Sequence, residues 1–115
     1  MARNGPGPTR RGYEFGDCAS ALQKSIRRSD EDAALYWAVE LAESGYDNYV
    51  WKRLRIMCSE DIGIAEPLLP AQIRALWENH LDQKKLKDTF HRPERLFLVH
   101  AVILLARAKK SRMVD

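Results

Sequence analysis

Ser29-Asp30-Glu31-Asp32-Ala33-Ala34-Leu35-Tyr36-Trp37-Ala38-Val39-Glu40-Leu41-Ala42-Glu43-Ser44-Gly45 is the stretch whose reading decides the fold. A hydroxyl suited to capping, Ser29, is followed by Asp30, Glu31 and Asp32, just where first-turn N–H groups need acceptors. Ala33, Ala34, Trp37, Ala38 and Leu41 then recur at helical spacing, and Gly45 supplies a left-handed terminator.

Working outward, the same pattern repeats on both sides. From about Asp17 to Arg28, Cys18, Ala21, Leu22 and Ile26 share a face, while Lys24, Arg27 and Arg28 crowd the last turn, where cations suit the helix dipole. Residues 1–12 (MARNGPGPTRRG) combine Gly, Pro and Arg with no apolar pattern and read as a flexible basic leader. Beyond Gly45, a third helix begins at Asp47 or Asn48, lines up Val50, Leu54, Met57, Cys58 and Asp61, and ends at Gly63. Pro67 and Pro70 bracket a turn, with Pro70 placed to open a fourth helix carrying Ile73, Trp77, His80 and Leu81 and grading into Lys84, Lys85 and Lys87. Pro93 opens a fifth, with Glu94 at its start and Arg107, Lys109 and Lys110 at its end. No stretch alternates with a period of two over strand length. The expectation is an all-α protein: one compact five-helix domain over residues 13–112, preceded by the leader 1–12.

Size and composition agree. A chain of 115 residues hides roughly two-thirds of its unfolded surface on folding. Its 45% hydrophobic and 30% charged residues exclude a disordered chain. Cys18 and Cys58 lie far apart in helix-like stretches, which excludes a zinc ribbon or disulfide scaffold and predicts two buried free thiols in a reducing cytoplasm. No signal peptide is visible, and the most apolar segment, Leu96–Ala106, is about half the length of a membrane span. A net charge of +3 permits an acidic or nucleic-acid partner without demanding one.

The fifth helix is unusual, because between Leu96 and Ala106 only His100 interrupts the apolar residues. A helix apolar nearly all round is covered on more than one side. Either it is the central helix of the domain, or one side of it, from Pro93 to Ala108, meets a second copy of the chain.

Catalytic patterns are missing from these residues. There is no GxxxxGK[ST] and no GxGxxG, and Gly5 and Gly7 sit in a proline-broken leader with no strand before them. His80, His91 and His100 form no metal-binding pair; His100 reads as a core or interface residue, His80 and His91 as surface or loop residues. Ser59, Glu60 and Asp61 are adjacent on a helix, so they point apart and do not converge on one substrate atom. The reading for this cluster is structural, a buried carboxylate pairing with an Arg or with backbone amides. Arg27, Arg28, Lys52, Arg53 and Arg55 form one basic group, and Lys84, Lys85 and Lys87 another; either is a solvated face or a phosphate-contacting surface. Neither carries a stacking signature for single strands.

Several of these residues also carry a resemblance. The run Lys24-Ser25-Ile26-Arg27-Arg28-Ser29-Asp30-Glu31-Asp32-Ala33-Ala34-Leu35-Tyr36-Trp37 resembles the KSIRGSDPDAALYW stretch of the RarA/MgsA family. These are AAA+ ATPases associated with stalled forks and recombination, related to clamp loaders and to the Werner-helicase-interacting ATPase. Lys52-Arg53-Leu54, Ser59-Glu60-Asp61-Ile62-Gly63-Ile64-Ala65, Pro93-Glu94, Ala101-Val102-Ile103-Leu104-Leu105-Ala106 and Lys109-Lys110-Ser111 resemble further motifs of that family, in order. Arg28 stands where the family has glycine and Glu31 where it has proline. The resemblance covers residues 17–112 and implies the family's C-terminal helical region, with a fold like a clamp-loader collar and a role in tetramer formation. It does not bring the ATPase, whose Walker motifs are absent from these 115 residues.

The expected function is therefore a non-enzymatic oligomerisation or adaptor domain, without cofactor, metal or membrane association, in the cytoplasm. Its expected partners are further copies, as a tetramer by family resemblance, or an AAA+ ATPase subunit in trans. Tyr36, Trp37, Trp51, Phe97, His100 and Leu104 are the interface candidates; Ser29, Asp30, Ser59, Glu60, Asp61 and Gly63 form the structural motif. The alternative is direct nucleic-acid binding through Arg27, Arg28, Lys52 and Arg53.

Overall fold

A computed structural model describes residues 6–86 and 93–111. His91, Lys87 and the first five residues of the leader lie outside the described residues. Every regular element among the described residues is helical: α1 (Phe15–Arg27), α2 (Glu31–Leu41), α3 (Asp47–Met57), α4 (Leu69–Leu86) and α5 (Pro93–Arg107). The five separate helices expected are in fact four helical stretches, one of them kinked. A π turn, Ala42–Tyr46, joins α2 directly to α3, and a second π turn, Cys58–Ile62, leads into the short 3-10 turn Gly63–Ala65. Gly45 kinks this stretch with φ +90°, and the chain resumes helical geometry at once. A single left-handed residue breaks the i→i−4 ladder locally, but Asp47 restarts it before the chain can leave.

The α1–α2 corner differs from its expected chemistry. Asp30, not Ser29, is the cap of α2, its carboxylate accepting from the Ala33 amide at 3.1 Å. Ser29 instead closes α1 in the left-handed region, at φ 59°. Its amide reaches the Ile26 carbonyl at 3.0 Å and the Asp30 amide reaches Ser25 at 2.9 Å, the paired bonds of a Schellman ending. A side chain costs about 1–2 kcal/mol in that conformation. Ser29→Gly should therefore raise stability by about 0.5–1 kcal/mol in urea titration; a loss would mean that the Ser29 hydroxyl, which accepts from Lys110 Nζ at 3.1 Å, outweighs the strain.

α5 is the central helix. It packs against each of α1, α2, α3 and α4, which explains why its sequence is apolar nearly all round. Leu98, Ala101, Val102, Leu105 and Ala106 are buried with Leu22, Ile26, Leu41, Trp51, Leu54, Met57 and Ile73 in one core. α5 runs antiparallel to α2, because Arg107 pairs with Glu31 at one end and Arg95 with Glu43 at the other. Cys18 and Cys58 are both free and buried in this core. Burial pushes each thiol above its usual value, with a hydrogen bond to Thr9 pulling Cys18 partly back. Ellman's reagent should find essentially no thiol in the native protein and both after denaturation; prompt native reaction of either would show that the core opens locally.

Of the two histidines among the described residues, His80 is not at the surface expected of it, and His100 is not in the core, its exposure leaving the interface alternative. His80 is buried between helices, its Nδ1 3.2 Å from the Glu94 carbonyl and its ring tilted against Trp51. His100 is on the exposed side of α5. Apolar neighbours in sequence do not decide burial on a central helix; the direction of the side chain does.

Of the expected leader, residues 6–12 are tied down rather than free. Thr9 is buried, and the Tyr46 hydroxyl donates to the Gly7 carbonyl at 2.7 Å.

Candidate protein-docking site

Three stretches far apart in sequence meet at one end of the bundle. Arg27, in the last turn of α1, donates Nε to Asp61 Oδ1 at 2.8 Å. Asp61 is only 7% exposed, so its charge is compensated by this contact rather than by water. The backbone of Asp61 accepts from the Ser111 amide at 2.9 Å. Gly63 follows at φ 56° and ψ −132°, a backbone that side chains rarely adopt, with Ser111 beside it. Lys110 folds back and donates Nζ to the carbonyls of Leu105, Ala106 and Ala108, filling acceptors that the end of α5 leaves open. The Lys109 amide reaches Glu66 Oε2 at 3.4 Å. The runs 24–37, 59–65 and 109–111 thus form one braced junction.

What the junction holds is apolar and outside. Ile64 is 76% exposed and Leu68 72% exposed, more than any other large hydrophobic among the described residues. Both lie on the corner from Gly63 to Leu69, Ile64 in the 3-10 turn and Leu68 between exposed Pro67 and the first turn of α4. Sequence reasoning missed them as surface residues. The available signal was that Ile64 and Leu68 fall between a helix-ending glycine and two prolines, where no helical face exists to bury them.

The residues expected at an interface are divided among three places. Trp51 is 1% exposed and belongs to the core, so it cannot meet another chain without opening the domain. Tyr36 and Trp37 form an aromatic group with Tyr13, whose hydroxyl lies 2.8 Å from that of Tyr36. Tyr36 is exposed there, while Trp37 packs partly on the core. Phe97 and Leu104 pack against the core from α5, and His100 is exposed on the same helix. Of the motif residues, Ser59 and Glu60 are exposed on the second π turn.

The basic candidates are partly neutralised. Arg27 is engaged with Asp61, and Arg53 lies 3.3 Å from Gln23 Oε1 and 3.8 Å from Glu60. Arg28 and Lys52 are exposed. Arg55 stacks on the Trp77 ring, 3.8 Å from its centroid.

No group of three or more His, Cys, Asp or Glu side chains gathers to hold a metal among the described residues. A cavity of about 200 Å³ opens beside His80, Asp47, Lys84, Glu43, Arg95 and Leu98. Its charges are mutually paired: Lys84 with Asp47 at 2.6 Å, and Arg95 with Glu43. The adjacent His80 ring and the Lys84 ammonium hold the Asp47 carboxyl well below the usual carboxylate range, against the pull of its burial. These pairs tie α4 to α3 and α5 to the first π turn. No helix among the described residues is long and apolar enough to cross a membrane.

A family model described as "MgsA AAA+ ATPase C terminal" matches residues 28–115. The chain belongs to this family. It is 43% identical over 107 residues to Replication-associated recombination protein A of Coxiella burnetii, covering 91% of this chain and 23% of that protein. To the protein of the same name from Escherichia coli K12 it is 37% identical over 110 residues, 90% of this chain and 22% of that one. ATPase WRNIP1 of Dictyostelium discoideum shares 42% identity over 71 residues, 60% of this chain and 8% of the relative. The chain therefore spans less than a quarter of the length of these curated relatives. The MgsA C-terminal match contains Asp61, Gly63 and Lys109 to Ser111, while Arg27 falls one residue before it.

Proposed function

We propose that this chain is a protein-binding module of the MgsA C-terminal kind, which assembles with further copies of itself and so serves an AAA+ ATPase in replication-associated recombination. The observation that carries the reading is the apolar corner at Ile64 and Leu68, exposed yet held by Arg27, Asp61, Gly63 and Ser111. Exposed apolar surface rimmed by polar residues often marks a protein-interaction site. A braced corner loses little conformational freedom on docking, so more of its burial appears as affinity. The family's collar-like arrangement and tetrameric state are the expected form of the assembly, with an ATPase chain in trans as the other partner. The free, buried thiols suit a reducing cytoplasm.

Sedimentation velocity from low to several hundred micromolar tests this. Concentration-dependent assembly supports it; a strict monomer throughout, with no ATPase partner retained in a pull-down, overturns it. Nucleic-acid binding has less to stand on, since Arg27 and Arg53 face carboxylates already.

A further inference from the structure

Gly7-Pro8-Thr9-Arg10-Arg11-Gly12-Tyr13 folds into a closed loop before α1 begins. The Thr9 amide donates to the Tyr13 carbonyl at 2.8 Å, the Gly12 amide to the Thr9 carbonyl at 2.9 Å, and the Tyr13 amide to Thr9 Oγ1 at 3.0 Å. Gly12, at φ 90°, makes the reversal that the loop needs.

This loop is fastened to the end of α2. The Arg10 amide donates to Ser44 Oγ at 2.7 Å and the Arg11 amide to Glu40 Oε2 at 2.8 Å. The Arg11 and Arg10 guanidinium groups lie 3.4 and 3.8 Å from Glu40 Oε1, and Arg10 also reaches Glu43 at 3.4 Å. Glu40 is 2% exposed, on a helix whose neighbouring buried residues are Ala38 and Leu41. A buried carboxylate is costly without compensation. Every hydrogen bond and ion pair described for the Glu40 side chain comes from Arg10 or Arg11. The loop that covers this carboxylate thus compensates its charge.

We infer that residues 7–13 are a latch, locked by Glu40, that fixes the path along which the chain enters the helices. The inference does not depend on the assembly reading.

Amide hydrogen exchange tests it on the full chain. The amides of Arg10, Arg11 and Tyr13 should exchange at least about 100-fold more slowly than in a free peptide, because the first two are bonded to Ser44 and Glu40 and the third to Thr9 within the loop. Glu40→Gln keeps an acceptor but removes the charge facing two guanidinium groups. It should speed exchange at Arg10 and Arg11 at least about tenfold while α4 stays protected. If that variant unfolds the domain, Ser44→Ala decides, since it removes only the acceptor of the Arg10 amide and should speed exchange there. Free-peptide rates in the wild type, or unchanged loop protection in the folded variants, overturn the latch.

Discussion

Arg27→Ala should lower the thermal midpoint by about 10 °C, corresponding to roughly 2–3 kcal/mol for a domain of this size. The pair is asymmetric. Asp61 is nearly enclosed, whereas the Arg27 side chain is 55% exposed. Removing the arginine leaves a carboxylate that water reaches poorly, and leaving one partner of a buried pair alone costs about 3–5 kcal/mol when both are enclosed. Partial exposure of Arg27 places this case below that range, since some water enters where the guanidinium stood. Asp61→Asn in the same background should recover part of the loss, because a neutral amide costs less to bury than a charge. Arg27→Lys should fall between, keeping charge but not the directed Nε–H bond. A midpoint shift under about 2 °C for Arg27→Ala would assign the pair the small value of an exposed salt bridge and remove it as the brace of the corner.

Much of this molecule was legible in its residues. Periodicity placed the helical stretches among the described residues, because local acceptors, left-handed residues and apolar spacing act within a few positions of where they are read. The joining of α2 and α3 was not legible. Gly45 signals a left-handed residue, but whether the chain leaves the helix axis there depends on the packing of the next turn, led by Val50 and Trp51. The ambiguity of α5 had the same origin, since an apolar helix is equally suited to a central position and to an interface. Contact with all four other helices puts it at the centre, while exposed Leu96 and His100 leave part of one side open. The corner was hidden for a different reason. Its bracing partners, Arg27, Asp61 and Ser111, span most of the chain, and no local pattern reveals that they converge. The Gly/Pro/Arg composition of residues 6–12 suggested looseness because the acceptors that hold them, Glu40 and Ser44, lie on another element.

The double substitution Ile64→Ser with Leu68→Ser should weaken self-association at least about 100-fold while leaving the unfolding free energy within about 0.5 kcal/mol. The two halves of this expectation rest on the same exposure values. At 76% and 72% exposed, neither side chain contributes much to the fold of the single chain, so its loss is nearly silent in urea titration. Burying each in a partner would contribute about 1.5–3 kcal/mol, and about 2.7 kcal/mol in total already corresponds to 100-fold. Comparing this variant with Arg27→Ala separates contact from support. The corner variant should lose assembly and keep stability; the brace variant should lose stability first, and assembly only as the corner loosens. Sedimentation with urea titration on both proteins reads the two effects independently. Unchanged assembly by the serine variant would move the interface elsewhere, with Tyr36 and its aromatic neighbours the next surface to test, whereas a large loss of stability would show that the corner packs on its own domain.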